Sequence, residues 1–133
     1  MTSELGVSSS SRVQFLDITS DVRGVVKESK CNEGICCVYV PHTTAAVTVN
    51  EGADPDVSRD IIDQMEKIAP SSGRYRHTEG NADAHIRSTV VGVSHMIPIR
   101  GGDLALGTWQ SVFFCEFDGP RKRRVLVTVI AAS

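Results

Sequence analysis

Apolar and polar positions along this chain change period repeatedly, and the changes mark its elements. RVQFLDIT, residues 12–19, alternates as a strand that sets Val13, Phe15 and Asp17 on one side. SDVRGVVKESK follows, with Ser20 as an N-cap and Val22, Val25 and Val26 on one helical face. Asn32 and Gly34 predict a turn. ICCVYV, residues 35–40, is a continuous apolar run, the pattern of a strand buried on both faces, and Pro41 ends it. AAVTVN, residues 45–50, is the next strand.

The clearest helix lies in ADPDVSRDIIDQMEKIAP. Asp54 suits the N-cap and Pro55 the first helical position. Val57, Ile61, Met65 and Ile68 recur at helical spacing, predicting a core-facing stripe, and Pro70 stops the helix. Residues 75–80 read as loop. Asn81 then caps a helix through Val91, with Ala82, Ile86 and Val90 predicted inward and Gly92 as its stop. The rest reads as strands, SHMIPI, DLALGTWQSVFFCEF and RVLVTVI, with turns at Gly101-Gly102-Asp103 and Asp118-Gly119-Pro120. About seven strands and three helices predict an α+β domain built on sheet packing. The domain is expected over residues 12–133, after a flexible serine-rich tail over residues 1–11.

A length of 133 residues fits one domain, and 41% hydrophobic with 23% charged residues is ordinary for a globular one. A net charge of -2 offers no general electrostatic case for nucleic acid or for an anionic membrane. No apolar run reaches the roughly 18 residues that span a bilayer. The N-terminus lacks the basic start and apolar stretch of a secretory signal. Cys31, Cys36, Cys37 and Cys115 form no CxxC pair, and they are expected to be reduced and mostly buried in a cytoplasmic protein. A cysteine-zinc site is the alternative, but the ligand spacing does not match one.

HTEGNADAH places His77, Glu79 and His85 within nine residues, and His42 lies upstream in PHTTAAVTVNEG. Three imidazoles suit zinc or a related divalent ion with an open position. The spacing does not force convergence, and ordinary hydrogen bonding at a loop and a helix surface accounts for the same residues. Glu79 reads as a general base, as a group orienting a histidine, or as a carboxylate at the positive end of the third helix. Asn50 and Glu51 read as a strand-end polar pair or as turn chemistry. His95, inside an apolar strand, reads as a core or interface group. Trp109 and Gln110 read either as an aromatic wall with an amide for a ring substrate or as packing. Arg121 to Arg124 form a basic run in a hairpin, most simply a solvated turn.

HTTAAVTVNEGADPDV, HTEGNADAH, PIRGGDLALGTWQ and CEFDGPRKRRV occur in this order in the YjbQ-like family, which the chain resembles from about Val13 to Ile130. Members of that family are sometimes described as secondary thiamine-phosphate synthases. The resemblance implies a compact β-sandwich-like α+β subunit with mixed sheets that assembles as a homotrimer. It implies a pocket near a subunit boundary, with His42, His77 and His85 as ligands of a divalent metal, zinc or magnesium. Glu79 and Glu116 match acidic positions of the family and are the candidate catalytic carboxylates. His95 departs from the family pattern and is left out of the site. For a small phosphorylated substrate, residue type and position suggest Arg87 or Arg100 as the phosphate grip, with Trp109 and Gln110 against a ring. The competing reading is a trimeric module that binds a metal or metabolite without catalysis.

Overall fold

The computed structural model describes residues 1–132, which form one α+β domain of eight strands and three helices. In chain order the elements are β1 (Thr2–Ser8), β2 (Gln14–Asp17), α1 (Thr19–Ser29), β3 (Gly34–Tyr39), β4 (Ala45–Glu51) and α2 (Pro55–Ile68). They continue with α3 (Ala82–Val91), β5 (Ser94–Arg100), β6 (Asp103–Leu104), β7 (Gln110–Glu116) and β8 (Lys122–Ala131). The strands form a five-stranded sheet in the order β1-β8-β3-β5-β6 and a three-stranded sheet in the order β2-β7-β4. Every pairing is antiparallel. The main core lies between the sheets, where Val38, Val125 and Val127 meet Val47, Val112 and Phe114, and α1 adds Val22, Val25 and Val26. A second cluster joins Ala84 of α3 to Ala46, Phe113 and Cys115 on the other face of the smaller sheet.

The strand β7 is therefore buried on both faces, as its continuous apolar sequence requires. The run from Ile35 to Tyr39 is not. Cys36 and Val38 face the core, but Ile35 and Tyr39 stand 43% and 44% exposed. They share the outer face of the larger sheet with Met96 and Ile130, which are also exposed. Among the described residues nothing covers that face, so apolar content overstated the burial of β3.

The first residues are not the expected flexible tail. Thr2 to Ser8 pair with β8 in continuous register, from Thr2 opposite Thr128 to Ser8 opposite Lys122. Ser9 continues the attachment, donating its hydroxyl to Glu116 at 2.6 Å. As an edge strand, β1 is held mainly by ladder hydrogen bonds; only Val7 is buried. The apolar alternation that would have announced it is correspondingly weak.

Helix caps follow local chemistry, with one shift. Asp54 accepts the Asp56 amide at 2.9 Å and Pro55 opens α2, as expected. The α1 start is set by Asp17 instead of Ser20: its carboxylate accepts the Thr19 amide at 2.9 Å and the Thr19 hydroxyl at 2.6 Å. The stretch expected as one strand from Asp103 to Phe117 is broken after Leu104 by a turn that precedes β7.

Two helices present faces that periodicity misjudged. In α2 the predicted stripe exists, but Val57, Ile61 and Met65 are only half-buried and Ile68 is 56% exposed. In α3 the buried residues are Ala82, Asp83, Ala84, Arg87 and Ser88, while Ile86 and Val90 stand 38% and 54% exposed. An ion pair and small side chains therefore fill the inner face, and the large aliphatics face outward. Val90→Asp accordingly leaves the isolated subunit folded, with a stability change within about 0.5 kcal/mol by urea melting. An expectation of unfolding would follow only from the misassigned face.

Candidate functional site

Two antiparallel strands and α3 converge at one end of the sandwich. His42 follows β3 past Pro41, and its Nε2 accepts the Arg124 amide of β8 at 3.0 Å. That bond assigns the proton of the neutral ring to Nδ1. Burial, then the Arg123 charge, hold the His42 pKa below its ordinary value, so the ring is neutral near pH 7. His85, on the first turns of α3, lines the same cavity of about 390 Å³ as His42, together with Glu79, Asn81 and Asp118. On its other side the His85 ring meets His77 edge to face, with centroids 5.2 Å apart. Glu79 lies 3.7 Å from the Nε2 of His77.

Buried ion pairs frame this end. Glu116 is fully buried between the sheets and is saturated by Ser9, the Asp118 amide and Arg123, whose Nε donates to it at 2.9 Å. Arg123 also donates to the Thr44 hydroxyl at 2.9 Å. In α3, Asp83 takes both Arg12 nitrogens at 2.9 and 3.0 Å. Arg87 donates to the Ala69 carbonyl at 2.9 Å and pairs with Glu66, tying the end of α2 to α3. Burial pushes the carboxyls of Glu116 and Asp83 up, yet their arginine and hydrogen-bond partners outweigh it and hold both below the usual carboxylate range. A depressed folded-state pKa lends stability that is present above the unfolded value, near pH 4 for carboxylates, and lost as pH falls through the folded value. Urea midpoints should therefore decline slightly as pH falls through about 6.5, where the unfolded chain protonates His42 more readily than the folded one, and more steeply below about pH 5.

These contacts correct two assignments. Arg87 is 2% exposed and committed to α2, so it does not grip a substrate phosphate. Glu116 is enclosed and fully bonded, and serves as the structural counter-charge of Arg123 in place of a catalytic acid. Arg100, Trp109 and Gln110 fold away from the histidines. Gln110 pairs with Glu51 at the far end of β7, six residues from the Glu116–Ala45 pair beside Thr44. Arg100 ends β5, whose first residue lies opposite Tyr39. Six strand residues span about 20 Å. Trp109 is 64% exposed, and Gln110 accepts the Gly107 amide at 2.8 Å.

Within one chain the three imidazoles are not equally close. His77 and His85 adjoin, but the Nε2 of His42 is engaged by Arg124. Among the described residues no group of three His, Cys, Asp or Glu could hold a metal ion. Cys31, Cys36, Cys37 and Cys115 are free thiols, and burial pushes Cys36 up to about 11, the opposite of a thiolate ligand. No helix among the described residues is long and apolar enough to cross a membrane.

Comparison with known proteins identifies the lineage of this arrangement. The profile of UPF0047 protein YjbQ-like matches residues 3–132. The chain belongs to the YjbQ-like UPF0047 family. A UPF0047 protein of Methanocaldococcus jannaschii is 47% identical over 93% of this chain and 90% of its own length. The UPF0047 protein YugU of Bacillus subtilis is 40% identical over 98% and 99%. A YjbQ/UPF0047 crystal structure from Clostridium acetobutylicum, 49% identical, superposes with a TM-score of 0.94 over 96% of this chain and 98% of that one. A YbjQ-like protein of unknown function from Sulfolobus solfataricus, 32% identical, gives 0.96 over 99% and 97%.

The structure also adds residues to this YjbQ-like site that the sequence reading used otherwise. Asn81 does not cap α3 with its side chain; its amide donates to Asp118 at 2.9 Å, and its Oδ1 is buried without a partner. Arg121 and Arg123, read as a solvated turn, line the cavity. The alternation of β8 could have placed Arg123 inward, in phase with Val125 and Val127.

Proposed function

We propose that this YjbQ-like chain is a small enzyme that transfers protons on a phosphorylated small molecule at the cavity shared by His42 and His85. The observation that carries the reading is the pairing of a neutral imidazole, His42, with a second imidazole across one polar cavity. Glu79 is the acid or base beside them, 75% exposed at its side chain. The specific reaction proposed is of the thiamine-phosphate synthase type: the ring nitrogen of a thiazole phosphate bonds to the methylene of a pyrimidine-methyl pyrophosphate as its C–O bond breaks, and an imidazole gives a proton to the departing pyrophosphate.

A homotrimer belongs to the same proposal. Support comes from the uncovered face of Ile35, Tyr39, Met96 and Ile130 and from α2, none of whose residues is buried. A neighbouring copy would also be needed to bring the distant Trp109 end of one subunit toward the histidines of another. Zinc or magnesium would require a ligand beyond those gathered in one chain, so no reaction step is assigned to it.

The runner-up is a non-catalytic metal- or metabolite-binding trimer. It is favoured by the enclosed state of Glu116, which leaves only the exposed Glu79 as a carboxylate beside the histidines. A panel of phosphorylated metabolites, assayed with and without zinc or magnesium, separates the two. Turnover that disappears in His85→Ala supports the enzyme. Tight ligand or metal binding with no turnover under any condition leaves the binding module.

A further inference from the structure

On the far side of His85 from His42 lies a second cavity of about 480 Å³, walled by Arg74, Tyr75, Arg76, His77, His85 and Ile86. Its size suits a small-molecule site. No acidic residue lines it. Among the described residues neither Arg74 nor Arg76 forms an ion pair, whereas Arg12, Arg87 and Arg123 each hold a carboxylate. Glu79, the acid nearest His77, lines the neighbouring cavity instead.

The loop that carries the two guanidiniums is strapped down. Tyr75 donates its hydroxyl to the Pro70 carbonyl at 2.5 Å, and its ring packs so closely on Gly73 that a Cβ there would lie 2.7 Å from it. At the loop's root, Glu66 accepts the Ser71 amide at 3.2 Å and hydroxyl at 2.8 Å while pairing with the buried Arg87. A loop held in this way loses little further freedom when it binds a ligand. The guanidinium fork matches the oxygens of a phosphate. The half-buried Tyr75, with Ala82 and Ile86, supplies an apolar surface beside it.

We infer that this cavity binds an organic phosphate with a flat apolar body, an aryl phosphate in its simplest form. Arg74 and Arg76 take the phosphate, and Tyr75 and Ile86 take the ring. His85 forms the wall shared with the His42 cavity, so a ligand seated here presents its far end to the imidazoles. That last step rests on the proposed function; the binding itself does not.

Calorimetric titration of the metal-free full chain with phenyl phosphate, inorganic phosphate and phenol tests the inference. Phenyl phosphate is expected to bind at least about tenfold more tightly than either fragment, because both halves of the site are engaged. Arg74→Gln/Arg76→Gln should weaken phenyl phosphate and inorganic phosphate by about tenfold or more. Ile86→Ser should weaken phenyl phosphate and phenol but leave inorganic phosphate unchanged. Equal affinity of wild type and the double arginine variant, phenol binding as tightly as phenyl phosphate, or no binding of phenyl phosphate would each overturn the inference. His42→Ala separates it from the enzyme reading, because His42 lies outside this cavity. If phenyl phosphate binds that variant and wild type alike, while wild type turns over no phosphorylated compound, the subsite stands and the catalytic reading falls.

Discussion

Arg123→Met is expected to destabilise the subunit by about 3–5 kcal/mol, the cost of leaving a buried charge without its partner. Glu116 has no exposed surface, and Arg123 supplies two of its hydrogen bonds and the cation paired with it. Methionine fills a similar volume but offers no donor. The Glu116 carboxylate must then stay charged and buried with only the Ser9 hydroxyl and the Asp118 amide as donors, or bind a proton at neutral pH. The same arginine donates to Thr44, beside His42, so both sheets loosen where the cavity opens. Urea denaturation at pH 7 measures the loss. The double variant Arg123→Met/Glu116→Leu should recover much of it, since removing both charges ends the desolvation penalty. A single-variant loss below about 1 kcal/mol would place this pair with exposed salt bridges and contradict its assigned role.

Under the proposed function, His85→Ala is expected to reduce turnover of a phosphorylated substrate by about 10²–10⁴-fold, the range for removing a positioned proton-transfer group. The fold should survive, because His85 is half-buried and alanine is the best helix former. The helix keeps its anchors through the Arg12–Asp83 pair and the Ser88 hydroxyl, which donates to the Ala45 carbonyl at 2.6 Å. Turnover and the thermal melt are therefore read on the same preparation. An unchanged melt with lost turnover assigns the ring to chemistry. Unchanged turnover removes His85 from the mechanism, and a collapsed melt would show that the ring holds α3 in place. His42→Ala is the companion, expected to lose turnover while freeing the Arg124 amide at the cavity edge.

The parts of the site legible in the sequence were those carried by local chemistry. His77, Glu79 and His85 sit close in the chain, and the structure keeps them close. The Asp54-Pro55 helix start and the inward face of α1 followed directly from capping and spacing. Long-range pairings were not legible. No local pattern relates Ser9 to Glu116, or Arg12 to Asp83, across more than seventy residues in each case. Arg87 looked like a phosphate grip because a chain position says nothing about which neighbour claims a guanidinium first.

Sequence alone determined the three helices, most strands after Arg12, the single α+β domain and the family, because periodicity, caps and contiguous motifs are properties of neighbouring residues. Tertiary structure decided which faces are covered and which charges are spent. Ile86 and Val90 face outward because buried Asp83 and Arg87 claim the inner side of α3. The residues before Arg12 are structured because β8 offers them an edge to pair with. Burial and ion pairing depend on what the chain brings alongside each residue, and that partner is set by the path of the whole backbone.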